Sequence, residues 1–208
     1  MFLSPNHIIE GYKKGIFPMS NSSDDPYIFW VSPEKRGIIE LEKFRLSKSL
    51  KKEIRKNRFK VQINKNFKKV IDNCRKPDIK RESTWINQQI IDNYCYLFLN
   101  GYAVSVETYE NNQLVGGLYG VKIGGLFFGE SMFSKTTNAS KVALVFLAAH
   151  LKQGGFQIID TQFLTKHLEQ FGATEVCKKE YLIKLRKNIK KNIRFPVTLK
   201  KNVLDYFS

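Results

Sequence analysis

Residues 114–133 have the sequence LVGGLYGVKIGGLFFGESMF, in which two apolar runs are joined by a Gly-Gly pair. Apolar runs that are rich in β-branched and aromatic residues and are joined by such a pair predict an antiparallel hairpin. Glu130 lies inside the second run. A carboxylate in an apolar strand is unfavourable unless it is hydrogen-bonded or has a function. The stretch therefore predicts part of a sheet and one candidate site residue.

A second apolar run carries polar residues in the same way. The segment FQIIDTQF (156–163) contains Asp160 and Gln162, and Asp160 follows Glu130 by thirty residues. Alternate side chains of a strand point to the same face of the sheet, so Asp160 and Gln162 are expected to share one face. Two apolar strands that each end in an acid indicate a site.

The order of elements around the hairpin predicts an α+β fold. Residues 85–99 have apolar residues at helical spacing, and residues 102–109 alternate as a strand does. The segment 139–155 predicts a helix that ends at a Gly-Gly pair, and the strand 156–163 follows it. A three-stranded meander, a helix, a strand and a helix occur in this order in the acyltransferase fold that includes the N-acetyltransferases. We therefore expect a mixed sheet of that type.

Two domains are expected. Residues 1–42 are turn-rich and aromatic, and they predict a small N-terminal α/β appendage with one helix that ends at Gly15 and two short strands. Residues 43–208 then form the C-terminal acyltransferase-like domain. A chain of 208 residues is long enough for one core with a small appendage.

The chain carries a net charge of +16, which favours a polyanionic partner such as nucleic acid. The N-terminus lacks the apolar segment of a signal peptide, and no apolar run reaches the length of about 18 residues that a membrane span needs. We therefore expect a cytoplasmic protein that has no membrane partner. The three cysteines and three histidines are scattered, so no metal site and no metal cofactor are expected.

The donor of the acyl group is also constrained by the sequence. Enzymes of this fold that use acyl-CoA hold its pyrophosphate with a glycine-rich loop at a helix N-terminus. Here the corresponding junction is SKTTNASK (134–141), which contains no glycine. This disfavours acyl-CoA, and together with the positive charge it indicates a donor attached to RNA.

The chain resembles the leucyl/phenylalanyl-tRNA–protein transferases, the aminoacyl-transferases of the bacterial N-degron pathway. The similar segments occur in the family's order and cover nearly the whole chain: GYKKGIFP (11–18), WVSP (30–33), STWI (83–86), LVGGLYGV (114–121), LFFGESMFS (126–134), NASK (138–141), IIDTQ (158–162) and FGATEV (171–176). The resemblance implies transfer of Leu or Phe from its tRNA to the α-amino group of a protein that begins with Arg or Lys, which marks that protein for degradation. It implies no cofactor, and we expect a monomer.

The resemblance also implies a catalytic group of Asp160, Gln162 and Glu130. In the mechanism proposed for the family the acid orients the glutamine, whose oxygen accepts a proton from the attacking amine. An amide is a weak base, so the 2′-hydroxyl of the tRNA ribose is an alternative proton acceptor. Glu130 would orient either the α-amino group of the donor or the cationic side chain of the acceptor.

Two further groups follow from the resemblance. The first is an apolar pocket for the Leu or Phe side chain, formed by Leu118, Phe127, Met132, Leu147 and Ile159. The second is a surface for the terminal adenine of the tRNA, formed by Tyr12, Met19 and Trp85, because aromatic rings stack on bases. Met19 departs from the family, which has a tryptophan after this proline. We expect a weaker contact with the base at this position.

Three basic segments are candidates for contacts with the acceptor-stem phosphates: 48–60, 67–81 and 178–194. Two other functions remain open. One is transfer of Leu to proteins that begin with Asp or Glu, which requires a cationic acceptor pocket. The other is a tRNA-binding protein without catalytic activity, which would not need Glu130, Asp160 and Gln162 together.

Overall fold

A computed structural model of the chain describes residues 3–76 and 83–207. Residues 77–81 of the second basic segment lie outside these ranges. The helices are α1 (Pro5–Lys14), α2 (Lys48–Arg55), α3 (Phe67–Arg75), α4 (Gln88–Leu99), α5 (Ala139–Gly154), α6 (Lys166–Glu169) and α7 (Lys178–Asn188). The strands are β1 (Phe17–Met19), β2 (Phe29–Val31), β3 (Lys35–Glu40), β4 (Lys60–Ile63), β5 (Ala103–Glu110), β6 (Gln113–Ile123), β7 (Leu126–Ser134), β8 (Ile158–Gln162) and β9 (Thr174–Cys177).

Seven of these strands form one mixed sheet in the order β4-β5-β6-β7-β8-β3-β9. The predicted meander is confirmed, because β5, β6 and β7 pair as consecutive antiparallel strands. Strand β8 then pairs in parallel with β7 after the crossover through α5. The α+β acyltransferase-like prediction is therefore confirmed.

Local signals in the sequence explain where several helices begin and end. Helix α1 ends at Gly15, which adopts a left-handed conformation with φ of 84°. Ser47 caps α2, because its hydroxyl accepts the backbone N–H of Leu50. The prediction that α4 begins at Trp85 was wrong. The helix begins at Gln88, because the side chain of Asn87 caps it by accepting the N–H of Ile90.

The N-terminal residues contribute one strand to the large sheet. Strands β1 and β2 form a separate two-stranded sheet, and Trp30 of β2 lies so close to α1 that a Cβ at Gly11 would lie 2.2 Å from its ring. Strand β3, however, lies inside the large sheet between β8 and β9. The domain boundary after residue 42 stays a prediction.

The sheet separates two apolar clusters. One contains Tyr12, Tyr94 and Phe128 and packs under α1, α3, α4 and α7; we call this side the α4 face. The other contains Phe127, Ile159 and most of the buried residues of α5; we call it the α5 face. In the described ranges no helix is both long enough and apolar enough to cross a bilayer.

Candidate active site

The candidate site lies where two neighbouring strands separate. The parallel pairing of β7 with β8 extends from Leu126 with Ile158 to Phe128 with Asp160. Beyond that point β7 continues to Ser134, whereas β8 ends at Gln162. The predicted residues Glu130 and Gln162 both lie past the last backbone pair. They are joined there by a side-chain hydrogen bond, in which Nε2 of Gln162 donates to Oε1 of Glu130 over 3.0 Å.

Asp160 is fully buried at this point and receives four hydrogen bonds. Nε and Nη2 of Arg36 donate to Oδ1 and Oδ2 over 2.9 and 2.8 Å. The hydroxyl of Tyr181 donates to Oδ2 over 2.6 Å, and the backbone N–H of Gln162 donates to Oδ1 over 2.9 Å. A bidentate arginine with two further donors satisfies a buried carboxylate well. The carboxylate is therefore held by protein groups on both of its oxygens.

Arg36 and Tyr181 were not predicted from the sequence. Arg36 is the largest fully buried side chain among the described residues, and its guanidinium carbon lies 4.5 Å from the ring centre of Phe17 and 4.7 Å from that of Tyr181. The available signal was an arginine next to the apolar run GII of β3. A cation beside such a run is expected to pair with a buried anion.

Gln162 has an unusual backbone conformation, with φ of 64°. A residue other than glycine in the left-handed region is disfavoured by about 1–2 kcal/mol. The pairing of β8 with β3 also shifts here, because Gly37 lies opposite Gln162 while Ile38 lies opposite Asp160. A Cβ at Gly37 would lie 2.6 Å from the backbone of Phe163, so glycine is needed for this close approach. The strand therefore ends in a bulge that turns Gln162 towards Glu130.

Glu130 is partly buried and receives its hydrogen bonds from neutral groups. The hydroxyl of Tyr12 donates to Oε1 over 2.5 Å, and that of Tyr94 donates to Oε2 over 3.0 Å. Burial raises the pKa of Glu130 to about 7, although the bonds from Tyr12, Tyr94 and Gln162 act in the opposite direction. Burial and the nearby Glu130 raise the pKa values of both tyrosines, so these hydroxyls keep their protons.

A count of protons agrees with the raised pKa of Glu130. The hydroxyl oxygens of Tyr12 and Tyr94 lie 2.5 Å apart, which adds a third contact to the two that they make with the carboxyl group. Each hydroxyl has one proton to donate. Three contacts among these four oxygens can all be hydrogen bonds only when the carboxyl group supplies the third proton. The network can therefore accommodate a proton on Glu130, in agreement with a pKa of about 7, at which the charged and the neutral forms are both populated near neutral pH.

The five predicted pocket residues lie together on the α5 face. Leu118 pairs with Met132 across β6 and β7, and Phe127 pairs with Ile159 across β7 and β8. Leu147 reaches the same cluster from α5. Four of them are fully buried and in contact with core residues, whereas Met132 is partly buried. Their role as a donor pocket stays a prediction.

The three predicted adenine-binding residues differ in exposure. Met19 and Trp85 are partly buried at the edge of the α4 face. Tyr12 is fully buried, and its ring centre lies 4.5 Å from that of Phe128. Its hydroxyl belongs to the Glu130 network, so the structure gives it a contact that the sequence did not indicate. The adenine role of all three residues stays a prediction.

A cavity of about 330 Å³ lies away from these residues. It is bounded by α2, by the first turns of α5 and by the C-terminal segment near Val203. Glu53 lines it, but this carboxylate is already paired with Lys56 over 2.9 Å. The site at the end of β8 therefore remains the better candidate for chemistry.

The family model described as leucyl/phenylalanyl-tRNA protein transferase matches residues 38–186, and the model of the N-terminal domain of that family matches residues 1–34. The leucyl/phenylalanyl-tRNA–protein transferase of Rhodopseudomonas palustris (strain BisB18) is 50% identical over 179 residues, which are 86% of this chain and 78% of that protein. A protein of the same name from Zymomonas mobilis subsp. mobilis is 46% identical over 206 residues, which are 99% of this chain and 77% of that protein.

Among solved structures, L-PGS from Bacillus licheniformis aligns with 97% of this chain at a TM-score of 0.42 and 12% identity. This chain spans 62% of the length of that solved chain.

Proposed function

The chain belongs to the leucyl/phenylalanyl-tRNA–protein transferase family and is an aminoacyltransferase. From that premise we propose that it transfers Leu, and also Phe, from the corresponding tRNA to the α-amino group of proteins that begin with Arg or Lys. It would act as a monomer in the cytoplasm and mark these proteins for degradation. Its partners are then the two aminoacyl-tRNAs and acceptors with a basic first residue.

The observation that carries this proposal is the meeting of Glu130 and Gln162 where β7 and β8 separate. Phe127 and Ile159, which belong to the apolar cluster of the α5 face, pair across β7 and β8 immediately before the last backbone pair. An aminoacyl ester needs this combination, because its side chain is apolar while its amine and ester groups are polar. A Leu side chain would enter beside Met132, which is unbranched and adapts readily to different apolar shapes.

The reaction moves one acyl group and one proton. The nitrogen lone pair of the acceptor attacks the ester carbonyl carbon, a C–N bond forms, and the C–O bond to the 3′ ribose of the tRNA breaks. The amine loses one proton, and the departing ribose oxygen gains one. With a pKa of about 7, Glu130 is suited to take up and return a proton at neutral pH. Gln162 donates its Nε2 to Glu130, which leaves its Oε1 to orient the amine.

The tRNA would approach along the cationic helices. Exposed lysines and arginines lie on α2 and α7, including Lys52 and Arg55 on the first and Arg186 and Lys187 on the second. Contacts of this kind with phosphates are independent of sequence and weaken with salt. The terminal adenine would then rest on Met19 and Trp85, with Tyr12 behind them.

The acceptor specificity is tested with a panel of peptides that differ only in the first residue: Arg, Lys, Asp, Glu and Ala. Purified protein is incubated with labelled Leu-tRNA or Phe-tRNA, and the labelled peptide is measured. We expect transfer to the Arg and Lys peptides, since Glu130 is an acidic group at the gap. Transfer to Asp and Glu peptides but not to Arg and Lys would support the alternative acceptor class. Binding of tRNA without any transfer would support a tRNA-binding protein without catalytic activity.

A further inference from the structure

We propose that Arg36 and Tyr181 are positioning residues for the transfer reaction. Together they fix the Asp160 carboxylate, and this carboxylate fixes the left-handed backbone of Gln162. The inference rests on the proposed function only for its kinetic test. The geometry that it describes belongs to the protein without substrate.

Asp160 has no free position for a substrate. A carboxylate offers about four lone-pair sites, and the four protein donors described above occupy them. The side chain is also completely shielded from solvent. Asp160 must therefore act through the groups that it holds, and the one of these that reaches Glu130 is Gln162.

The two groups that hold Asp160 come from opposite ends of the chain. Arg36 lies on β3, and its Nη1 also donates to the carbonyl oxygen of Gly15 over 3.3 Å. Tyr181 lies in the first turn of α7 and covers one side of the guanidinium group. The ring centre of Phe17 also lies close to this group, 4.5 Å from the guanidinium carbon. These contacts hold the guanidinium group in the orientation in which it donates to both oxygens of Asp160.

The held carboxylate is what offsets the unfavourable backbone of Gln162. The N–H of Gln162 donates to Oδ1 of Asp160 over 2.9 Å, while φ of Gln162 is 64°. In a regular strand the backbone of this residue would be extended, and the register with β3 would not shift between Gly37 and Ile38. A small rotation of Asp160 would release the N–H and move the amide nitrogen away from Oε1 of Glu130. Displacements of about 1 Å in such a group lower rates by about 100-fold.

Tyr181→Phe tests the proposal with the smallest change, because it keeps the ring on Arg36 and removes one donor to Asp160. We expect kcat for Leu transfer to an Arg peptide to fall about 10-fold, with KM for Leu-tRNA and for the peptide changed by no more than about 2-fold. Arg36→Lys keeps the charge and loses the bidentate fork, so we expect a fall of about 100-fold. Amide hydrogen exchange at Gln162, measured by NMR, should become faster in both variants.

Tyr119→Phe is the matched control. Tyr119 is also fully buried on the α4 face, but its hydroxyl has no hydrogen-bond partner among the described residues. This variant should keep the kcat of the unchanged protein. Rates are divided by the folded fraction, measured by circular dichroism. Equal corrected kcat values for Tyr181→Phe and Tyr119→Phe, with unchanged exchange at Gln162, would refute the proposal. If the unchanged protein transfers nothing, the proposed function fails, and the exchange measurement alone decides the positioning role.

Discussion

The end of β8 and the middle of β7 each hold a carboxyl group, and the two groups have opposite surroundings. Asp160 at the end of β8 accepts from a guanidinium group, a tyrosine hydroxyl and a backbone N–H. Glu130 on β7 is hydrogen-bonded to two tyrosine hydroxyls and an amide, all of them neutral. Gln162 is hydrogen-bonded to both acids. Its backbone N–H donates to Asp160, and its side-chain amide donates to Glu130.

Because of this difference, the two acids are suited to different roles in the site. Asp160 is held by a cation and by two further donors, whereas burial of Glu130 among neutral donors raises the pKa of its carboxyl group. Neighbouring titratable groups with surroundings this different take different roles in acid–base chemistry. Asp160 is suited to fix the positions of the groups around it, and Glu130, with a pKa of about 7, is suited to exchange a proton.

The largest expected effect comes from removing the cation at the end of β8. Arg36→Met leaves the buried Asp160 with two neutral donors, and breaking a buried pair in this way costs about 3–5 kcal/mol. Urea unfolding at pH 7 measures the loss. Adding Asp160→Asn to Arg36→Met removes the second charge, so about 2 kcal/mol or more should be regained while transfer stays low.

The control for this prediction is an exposed ion pair of the same protein. Lys68 and Asp72 lie 2.9 Å apart on α3, with 65% and 39% of their side chains exposed. Lys68→Ala should change the free energy of unfolding by no more than about 0.5 kcal/mol. If Arg36→Met costs no more than Lys68→Ala, then Asp160 does not depend on its cation, and the contrast between the two acids is wrong.

The sequence predicted the parts of this comparison that depend on local pattern. The hairpin of β6 and β7, the helix α5 and the acids in β7 and β8 all follow from periodicity and from polar residues in apolar runs. The insertion of β3 between β8 and β9 was not predicted, because β3 and β8 are more than 100 residues apart and their pairing leaves no local mark. The partner of Asp160 was missed for the same reason, since Arg36 becomes its neighbour only through that pairing.

A second effect distinguishes the two acids by pH. The pKa of Glu130 is about 7 in the folded protein and 4.5 ordinarily, so between these values the folded state binds a proton that the unfolded chain does not. The stability that this proton provides is present below pH 4.5 and is lost as the pH rises through 7. Relative to Glu130→Gln, the unchanged protein should therefore lose about 1–3 kcal/mol over this range.

Urea unfolding of both proteins at several values between pH 4.5 and 8 measures this loss. The titratable groups that interact with Glu130 include Tyr12 on α1, Tyr94 on α4, Tyr119 on β6 and Asp160 on β8, and these are present in both proteins. Their contributions, and those of the histidines, cancel in the difference. Parallel stability curves for the two proteins would show that Glu130 does not hold a proton in the folded state.

The smallest effect concerns the residue that joins the two acids. Gln162→Gly and Gln162→Ala both remove the amide, but only glycine adopts φ of 64° without a steric penalty. We expect Gln162→Gly to be more stable than Gln162→Ala by about 1 kcal/mol, measured by thermal unfolding. At an ordinary strand position such as Thr174 on β9 the order should reverse, because glycine weakens a strand by about 0.5–1 kcal/mol. The same order of stability at both positions would mean that the left-handed conformation of Gln162 carries no energetic penalty. Asp160 would then not be needed to stabilise it.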